Sequence, residues 1–248
     1  MSPVVLITGA SRGIGAATAL LAARHGWDVA VNYTSQATTA NAVVAQIRAL
    51  GRRAIAVQAD VADEAQVLAM FAQVDVQLGG LQALVNNAGV VDHAQRLQDM
   101  DMARWQRMFA INVIGSFTCA REAVQRMSTE QGGAGGCIVN VSSTAARLGA
   151  ANQYVDYAAT KAAIDTMTLG LAHEVARQGI RVNAVRPGLI ETDIHASGGQ
   201  PDRIERLAPG VPMGRGGTAQ EVAEAIYWLM SDQSSYATGT IIDVSGGR

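Results

Sequence analysis

Tyr157 and Lys161 stand four residues apart, and on a helix that spacing puts both side chains on one face. A free phenol has a pKa of about 10, so only about one in a thousand is ionised at pH 7. An ammonium beside it favours the phenolate. Such a tyrosine can donate a proton in one direction of a reaction and accept it in the other. Lys161 is also the sole lysine in a chain with 18 arginines. Either that is an accident of composition, or position 161 requires a compact ammonium that a guanidinium cannot imitate. A Tyr/Lys pair at this spacing arises easily by chance. It gains force from Ser142 and Ser143, which follow the apolar run Ile138-Val139-Asn140-Val141. A hydroxyl there can hold a substrate oxygen, although serine also caps helices and forms turns.

A second constellation lies near the N-terminus, in Thr8-Gly9-Ala10-Ser11-Arg12-Gly13-Ile14-Gly15. Glycines at these positions let a backbone turn tightly against a pyrophosphate, and a following helix offers free N–H groups and a positive dipole end. The pattern has meaning only where a strand leads into a helix, and an apolar run precedes it here. At the ribose end, a preference for NAD usually requires an acid after the second strand. This chain has Asn32-Tyr33-Thr34-Ser35 instead, and Arg12 can offer positive charge to a 2′-phosphate. NADP is therefore favoured over NAD. The alternative for Arg12 is a solvated loop residue.

Elements must bring these groups together. Short Val/Ile-rich runs at 4–8, 29–33, 54–58, 83–86, 137–141, 181–185 and 240–244 predict seven strands. Helical patterns at 14–24, 38–50, 64–77, 102–127, 153–177 and 219–231 lie between them. The alternation predicts an α/β fold, a Rossmann-type doubly wound parallel sheet with helices on both faces. The strand runs are continuously apolar, as strands buried on both faces should be. No composition shift marks a second domain, so residues 1–248 are expected to form one catalytic domain. The segment 193–217 lacks a strong period and holds three prolines, which predicts a substrate-binding loop.

Composition excludes several classes. Formal net charge is −2 and charged residues make up 16%, so nothing points to nucleic acid or an anionic membrane. No apolar run approaches the ~20 residues of a membrane span, and the N-terminus resembles a first strand more than a signal peptide. Cys119 and Cys137 form no metal-ligand spacing, and the four histidines are scattered, so no metal is expected. A cytoplasmic protein fits best.

Taken together, the motifs resemble the short-chain dehydrogenase/reductase family along the whole chain. They are the Thr8–Gly15 loop, Asp60-Val61, Asn86-Asn87-Ala88-Gly89, Asn112, Ser143, Tyr157 with Lys161, and Pro187-Gly188. The nearest branch looks like bacterial 3-oxoacyl-carrier-protein reductases and glucose-dehydrogenase-like enzymes. The resemblance implies an NADP(H)-dependent oxidoreductase that moves a hydride between a nicotinamide and a carbonyl or alcohol substrate. It implies that Tyr157 exchanges the proton, that Lys161 binds the nicotinamide ribose and lowers the Tyr157 pKa, and that Ser143 orients the substrate oxygen. It implies a water held by Asn112 in a proton relay. Asp60 and Val61 would meet the adenine, Asn87 and Ala88 the adenosine-side ribose region, and Ile190 and Thr192 the carboxamide, with Gly89 a further cofactor contact. Gly9, Ser11, Arg12, Gly13, Ile14, Gly15, Asn32, Tyr33, Pro187 and Gly188 complete the expected cofactor contacts. A homotetramer is the family expectation, with the long helices near 102–127 and 153–177 at one interface.

Two departures stand out. The separation of Ser143 from Tyr157 is one residue longer than usual, which points to an insertion within 147–154 and leaves Ser142 and Thr144 as substitutes for Ser143. Arg186 precedes Pro187 where a small residue is common, and is expected to pair with Asp243 or another acid, or to reach the pocket. The rival function is a non-catalytic NADP-binding sensor or scaffold on the same fold. The substrate stays open among a small ketone, a steroid-like ketone, a sugar and an acyl thioester. Candidate walls are Val90, Val91, His93, Leu148, Tyr154, Leu189 and the stretch 194–213. Arg96, Arg104 and Arg107 could form a docking patch for an acyl-carrier protein, or a solvated helix face.

Overall fold

The computed structural model describes residues 2–248; the side chains of Ile194 and His195, the latter a candidate polar contact, lie outside the described residues. The chain runs β1 (Val4–Ile7), α1 (Gly13–Arg24), β2 (Asp28–Tyr33), α2 (Ala37–Ala49), β3 (Ala54–Gln58), α3 (Glu64–Gln77), β4 (Ala83–Asn86), α4 (Met102–Phe109) and α5 (Gly115–Met127). It continues with β5 (Gly136–Val141), α6 (Ala145–Leu148), α7 (Val155–Val175), β6 (Ile180–Pro187), β7 (Ile190–Glu191), α8 (Ile194–Ser197), α9 (Arg203–Leu207), β8 (Gly217–Thr218), α10 (Ala219–Met230) and β9 (Ile241–Val244).

Seven strands form one parallel sheet in the order β3-β2-β1-β4-β5-β6-β9. Alternate side chains of each strand face opposite layers. Val4 and Leu6 join a core with Phe71 and Met70 of α3, Ala123 of α5 and Val175 of α7. Val5 and Ile7 join a second core with Ala19 of α1, Ile47 of α2 and Ile226 of α10. Both faces are covered, which explains why the strands are mostly apolar on both faces and do not alternate with polar residues. The chain reverses its build direction between β1 and β4, and in such sheets the crevice beyond the carboxyl ends of those strands is where ligands bind.

Three predicted elements differ from the structure. The helix expected over 102–127 is interrupted by a wide π turn at Ala110–Ile114, and such bulges cluster at functional sites. The stretch 193–217 is not irregular, because it folds into α8, α9 and a 3-10 turn before β8 pairs with β7. The expected insertion loop carries positive φ at Gly149, Ala150 and Asn152, a tight turn built with two non-glycine residues in the left-handed region.

Candidate active site

The carboxyl edge of the sheet opens into a cleft of about 840 Å³. One end is the loop after β1. Gly9 has φ +61°, and a Cβ there would sit 3.0 Å from the Ala88 Cα; a Cβ on Gly15 would lie 2.6 Å from Asn87 Nδ2 and 2.7 Å from Gly9 O. Only glycine allows this approach of helix to strand. Arg12 occupies the position before α1 and makes no side-chain cap, so the first-turn N–H groups lack a side-chain acceptor. That is the cradle a pyrophosphate needs, and the residues present fit a dinucleotide.

Buried side chains fix this loop from beneath. Asn32 Oδ1 accepts from Gly9 N at 3.0 Å, and its amide donates to Val57 O and Ala59 O. The expected cofactor contact at Asn32 is therefore corrected: its polar atoms are engaged inside the protein and it does not line the cleft. Gly15 likewise packs behind the loop. Thr8 Oγ1 accepts from Asn87 N and Ala88 N, and Asn87 Nδ2 donates to Thr8 O and Gly9 O, which ties the loops after β1 and β4 together. Ser11, Arg12, Gly13, Ile14, Tyr33, Asp60, Val61, Asn87, Ala88, Gly89, Pro187, Gly188, Ile190 and Thr192 all line the cleft, as does Gly9.

At the other end, Ser143, Tyr157 and Lys161 face the same space. Ser142 and Thr144 line the cleft beside Ser143 but are buried, and the Ser142 hydroxyl is engaged, donating to Lys161 O at 3.1 Å. The Ser143 hydroxyl accepts from Ala145 N at 3.1 Å and favours ionisation of the Tyr157 phenol. Lys161 Nζ donates to Val141 O at 2.7 Å and lies 5.7 Å from the Tyr157 ring centroid. Burial lowers the Lys161 pKa to about 8, against the opposing pull of Asp165 one turn along α7.

Burial pushes the Tyr157 phenol up, while the Ser143 hydrogen bond and the Arg203 charge pull it down. Asn112 is fully buried in the π turn. Its Oδ1 accepts from Val90 N at 2.8 Å and its Nδ2 donates to Val90 O and Thr160 Oγ1. Its side chain clamps the Val90 peptide.

The arginine patch is corrected too. Arg104 is 5% exposed and forks onto Asp156 with distances of 2.6 and 3.2 Å, while its Nη1 donates to His93 O. Asp156 Oδ1 in turn accepts from Tyr157 N at 2.9 Å, so the pair holds the first turn of α7. Arg107 pairs with Asp92. Arg186 pairs with Asp165 at 2.9 Å and Asp243 at 3.5 Å and does not reach the cleft.

Residues 197–206 roof the substrate end. Gln200 Nε2 donates to Tyr154 Oη at 2.7 Å, and Arg203 Nη1 donates to Gln153 Oε1 and Gln200 Oε1 at 2.8 and 2.9 Å. Val90, Val91, Leu148, Tyr154 and Leu189 line the cleft as expected, whereas His93 does not. Arg203, within the expected wall 194–213, lines it too, and Arg248 lines it unforeseen. A five-residue helix has too few turns to show a period, so the sequence did not single out Arg203 within that stretch.

The chain matches the family model described as Enoyl-(Acyl carrier protein) reductase over residues 9–248. It is 54% identical over 245 residues to the Escherichia coli (strain K12) protein named Uncharacterized oxidoreductase YgfF, with 99% of each chain covered. It is 39% identical over 248 residues to the Staphylococcus aureus 3-oxoacyl-(acyl-carrier-protein) reductase FabG, covering 100% of this chain and 98% of that protein. A solved short chain dehydrogenase from Burkholderia cenocepacia in complex with NADP superimposes with a TM-score of 0.89 at 35% identity, over 98% of this chain and 96% of that one. A chain that carries this sheet order and matches along nearly its whole length belongs with these proteins: it is a member of the short-chain dehydrogenase/reductase family, a nicotinamide-dependent oxidoreductase acting on CH–OH and C=O groups.

Proposed function

We propose that the protein uses NADP(H) to interconvert a carbonyl compound and its alcohol, with Tyr157 exchanging the proton, Ser143 orienting the substrate oxygen and Lys161 supplying the neighbouring charge. The observation that carries this is the convergence of Ser143, Tyr157 and Lys161 on one end of a cleft whose other end is the uncapped start of α1. When bound, the nicotinamide supplies the hydride. Burial keeps the Tyr157 phenol protonated at neutral pH, ready to donate to a substrate oxygen held by Ser143. With a pKa of about 8, Lys161 is mostly protonated at pH 7 and offsets the phenolate charge that develops.

Several features support NADP over NAD. No acid lines the cleft at the end of β2, where Tyr33, Thr34 and Ser35 stand. Arg12 lies in the adjoining loop. Its tie to Asp193 is 3.7 Å long, with both side chains well exposed, so the pair holds little energy and can yield to a phosphate. The whole chain acts as one catalytic domain, with 193–217 as its substrate-binding loop. Exposed Ile114 at the end of the π turn, Phe117 on α5 and Leu169 on α7 support a homotetramer through these helices.

The test is NADPH oxidation across diketones, aldehydes, β-keto thioesters and quinones. At least one class should be reduced, and Tyr157→Phe should lose about a hundred- to ten-thousandfold in turnover with NADPH affinity retained. Unchanged turnover would remove Tyr157 from the mechanism. A flat panel with NADPH bound would leave a nucleotide-binding module.

A further inference from the structure

We propose that Arg203, with Arg248 beside it, anchors a carboxylate on the substrate, so that the enzyme acts on oxo acids and their hydroxy-acid counterparts. The proposal rests on the catalytic reading of Tyr157 given above and adds the substrate class.

Arg203 projects from α9 into the end of the cleft that holds Ser143 and Tyr157. Its guanidinium carbon lies 5.2 Å from the Tyr154 ring centroid. Nη1 is held by the amide oxygens of Gln153 and Gln200. These partners are neutral, so they fix the fork without cancelling its charge. Nε and Nη2 have no acceptor among the described residues, and no carboxylate lies within ion-pair distance of Arg203. Arg104 and Arg186, by contrast, are each closed by a buried or half-buried aspartate. A half-buried, oriented guanidinium with two free N–H edges is the geometry that grips a planar carboxylate.

The surroundings leave that charge unanswered. The acids lining the cleft are Asp60, at the end of β3, and Asp193, which faces Arg12. On the roof, Asp202 pairs with Arg206, and Glu205 is exposed and does not line the cleft. Arg248 lines the same end. Burial and the neighbouring charges of Arg206 and Arg248 all disfavour the Arg203 cation, and only the two tyrosines favour it. A bound carboxylate relieves that penalty. Arg203 also acts on the Tyr157 phenol, so an anion seated on it lies close to the reacting oxygen. At the nucleotide end the available cation is Arg12, which leaves Arg203 free for the substrate.

The alternative is a latch: Arg203 merely pins the roof to Gln153 and Tyr154. Oxo acids and their methyl esters separate the two, because each pair shares a carbonyl and differs in the charge. Acetoacetate, 4-oxopentanoate and 5-oxohexanoate would each be compared with its ester. Binding is measured by calorimetry on the NADPH complex of Tyr157→Phe, and kcat/KM on the unmodified enzyme. For at least one chain length the acid should bind about ten- to hundredfold tighter than its ester. Adding Arg203→Met should bring that ratio to about one, and Arg203→Lys should keep part of it. Each ratio is taken within one variant, so general loosening cancels. A ratio near one at every length, or one that survives Arg203→Met, overturns the proposal in favour of the latch. The calorimetric ratio needs no turnover. Acids that bind through Arg203 without being reduced would support the anchor and count against the catalytic reading. Full turnover in Tyr157→Phe would defeat the catalytic reading alone.

Discussion

The floor and the roof of the cleft are built by different means. On the floor, Thr8, Asn32, Asn87, Asn112, Ser142 and Lys161 each engage main-chain N–H or C=O groups of the strands, the loops that follow them or α7. Main-chain partners are fixed once the sheet has formed, and the contacts of Ser142 and Lys161 are fully buried, where an unmade hydrogen bond costs most. On the roof, Gln200, Arg203, Tyr154 and Gln153 are tied chiefly by side chain to side chain, and mostly in partial contact with solvent. Such ties are weak and replaceable. The groups that do chemistry are therefore placed by the fold, and the groups that choose a substrate are placed by short elements that can change without disturbing them.

The sharpest form of that contrast is catalytic. Tyr157→Phe removes one oxygen from the floor and should cost the hundred- to ten-thousandfold given above. A comparable contrast exists in stability. Arg104→Met strands the Asp156 carboxylate, whose side chain is 2% exposed, and should destabilise by about 3–5 kcal/mol. The matched change on the roof, Arg206→Met, breaks a 3.8 Å pair between side chains 46% and 66% exposed and should leave the denaturation midpoint where it was. Equal midpoint shifts in urea unfolding would break the comparison.

The same division governs what the sequence discloses. The Gly loop, Asn86-Asn87-Ala88-Gly89, Ser143 and Tyr157/Lys161 are legible because each follows a strand or sits on a long helix. Six of the seven sheet strands both begin and end within a residue of the apolar runs, since burial on both faces favours Val and Ile. The identity of the lining residues was legible, but the work of several was not. Asn32 and Asn112 stand where a ligand contact is expected, yet both are buried and bonded to backbone. Composition does not reveal whether an asparagine amide faces inward. Arg104 resembles a solvated helix residue by spacing, and only the packing of α4 against α7 shows its partner, 52 positions away. The roof was opaque because α8 and α9 have four and five residues, too few for either period to register.

A smaller effect probes the seam between the halves, where floor Arg12 faces Asp193 at the base of the roof. Arg12→Ala should weaken NADPH by about tenfold through a lost charge-assisted contact and NADH much less. Equal losses for both, measured by fluorescence titration, would mean that Arg12 does not sense the 2′-phosphate and that the NADP preference rests elsewhere.

The smallest effect at pH 7 should come from beneath Lys161. Asp165 raises the Lys161 pKa against the burial that lowers it to about 8, and its own carboxylate is held by Arg186 through one oxygen while Oδ1 stays unpartnered. Asp165→Asn keeps the shape and deletes the charge. The folded-state pKa of Lys161 then falls further below that of a free lysine, so the ammonium is lost at lower pH. If turnover needs the charged form, the alkaline limb of the kcat profile moves to lower pH, while the rate well below that limb is nearly unchanged because the ammonium is still protonated there. The acid limb should not move, since Lys161 is charged throughout it. A limb that stays in place while rates fall uniformly would mean that Asp165 only packs the helix, and that the charge beneath the floor is not part of its chemistry.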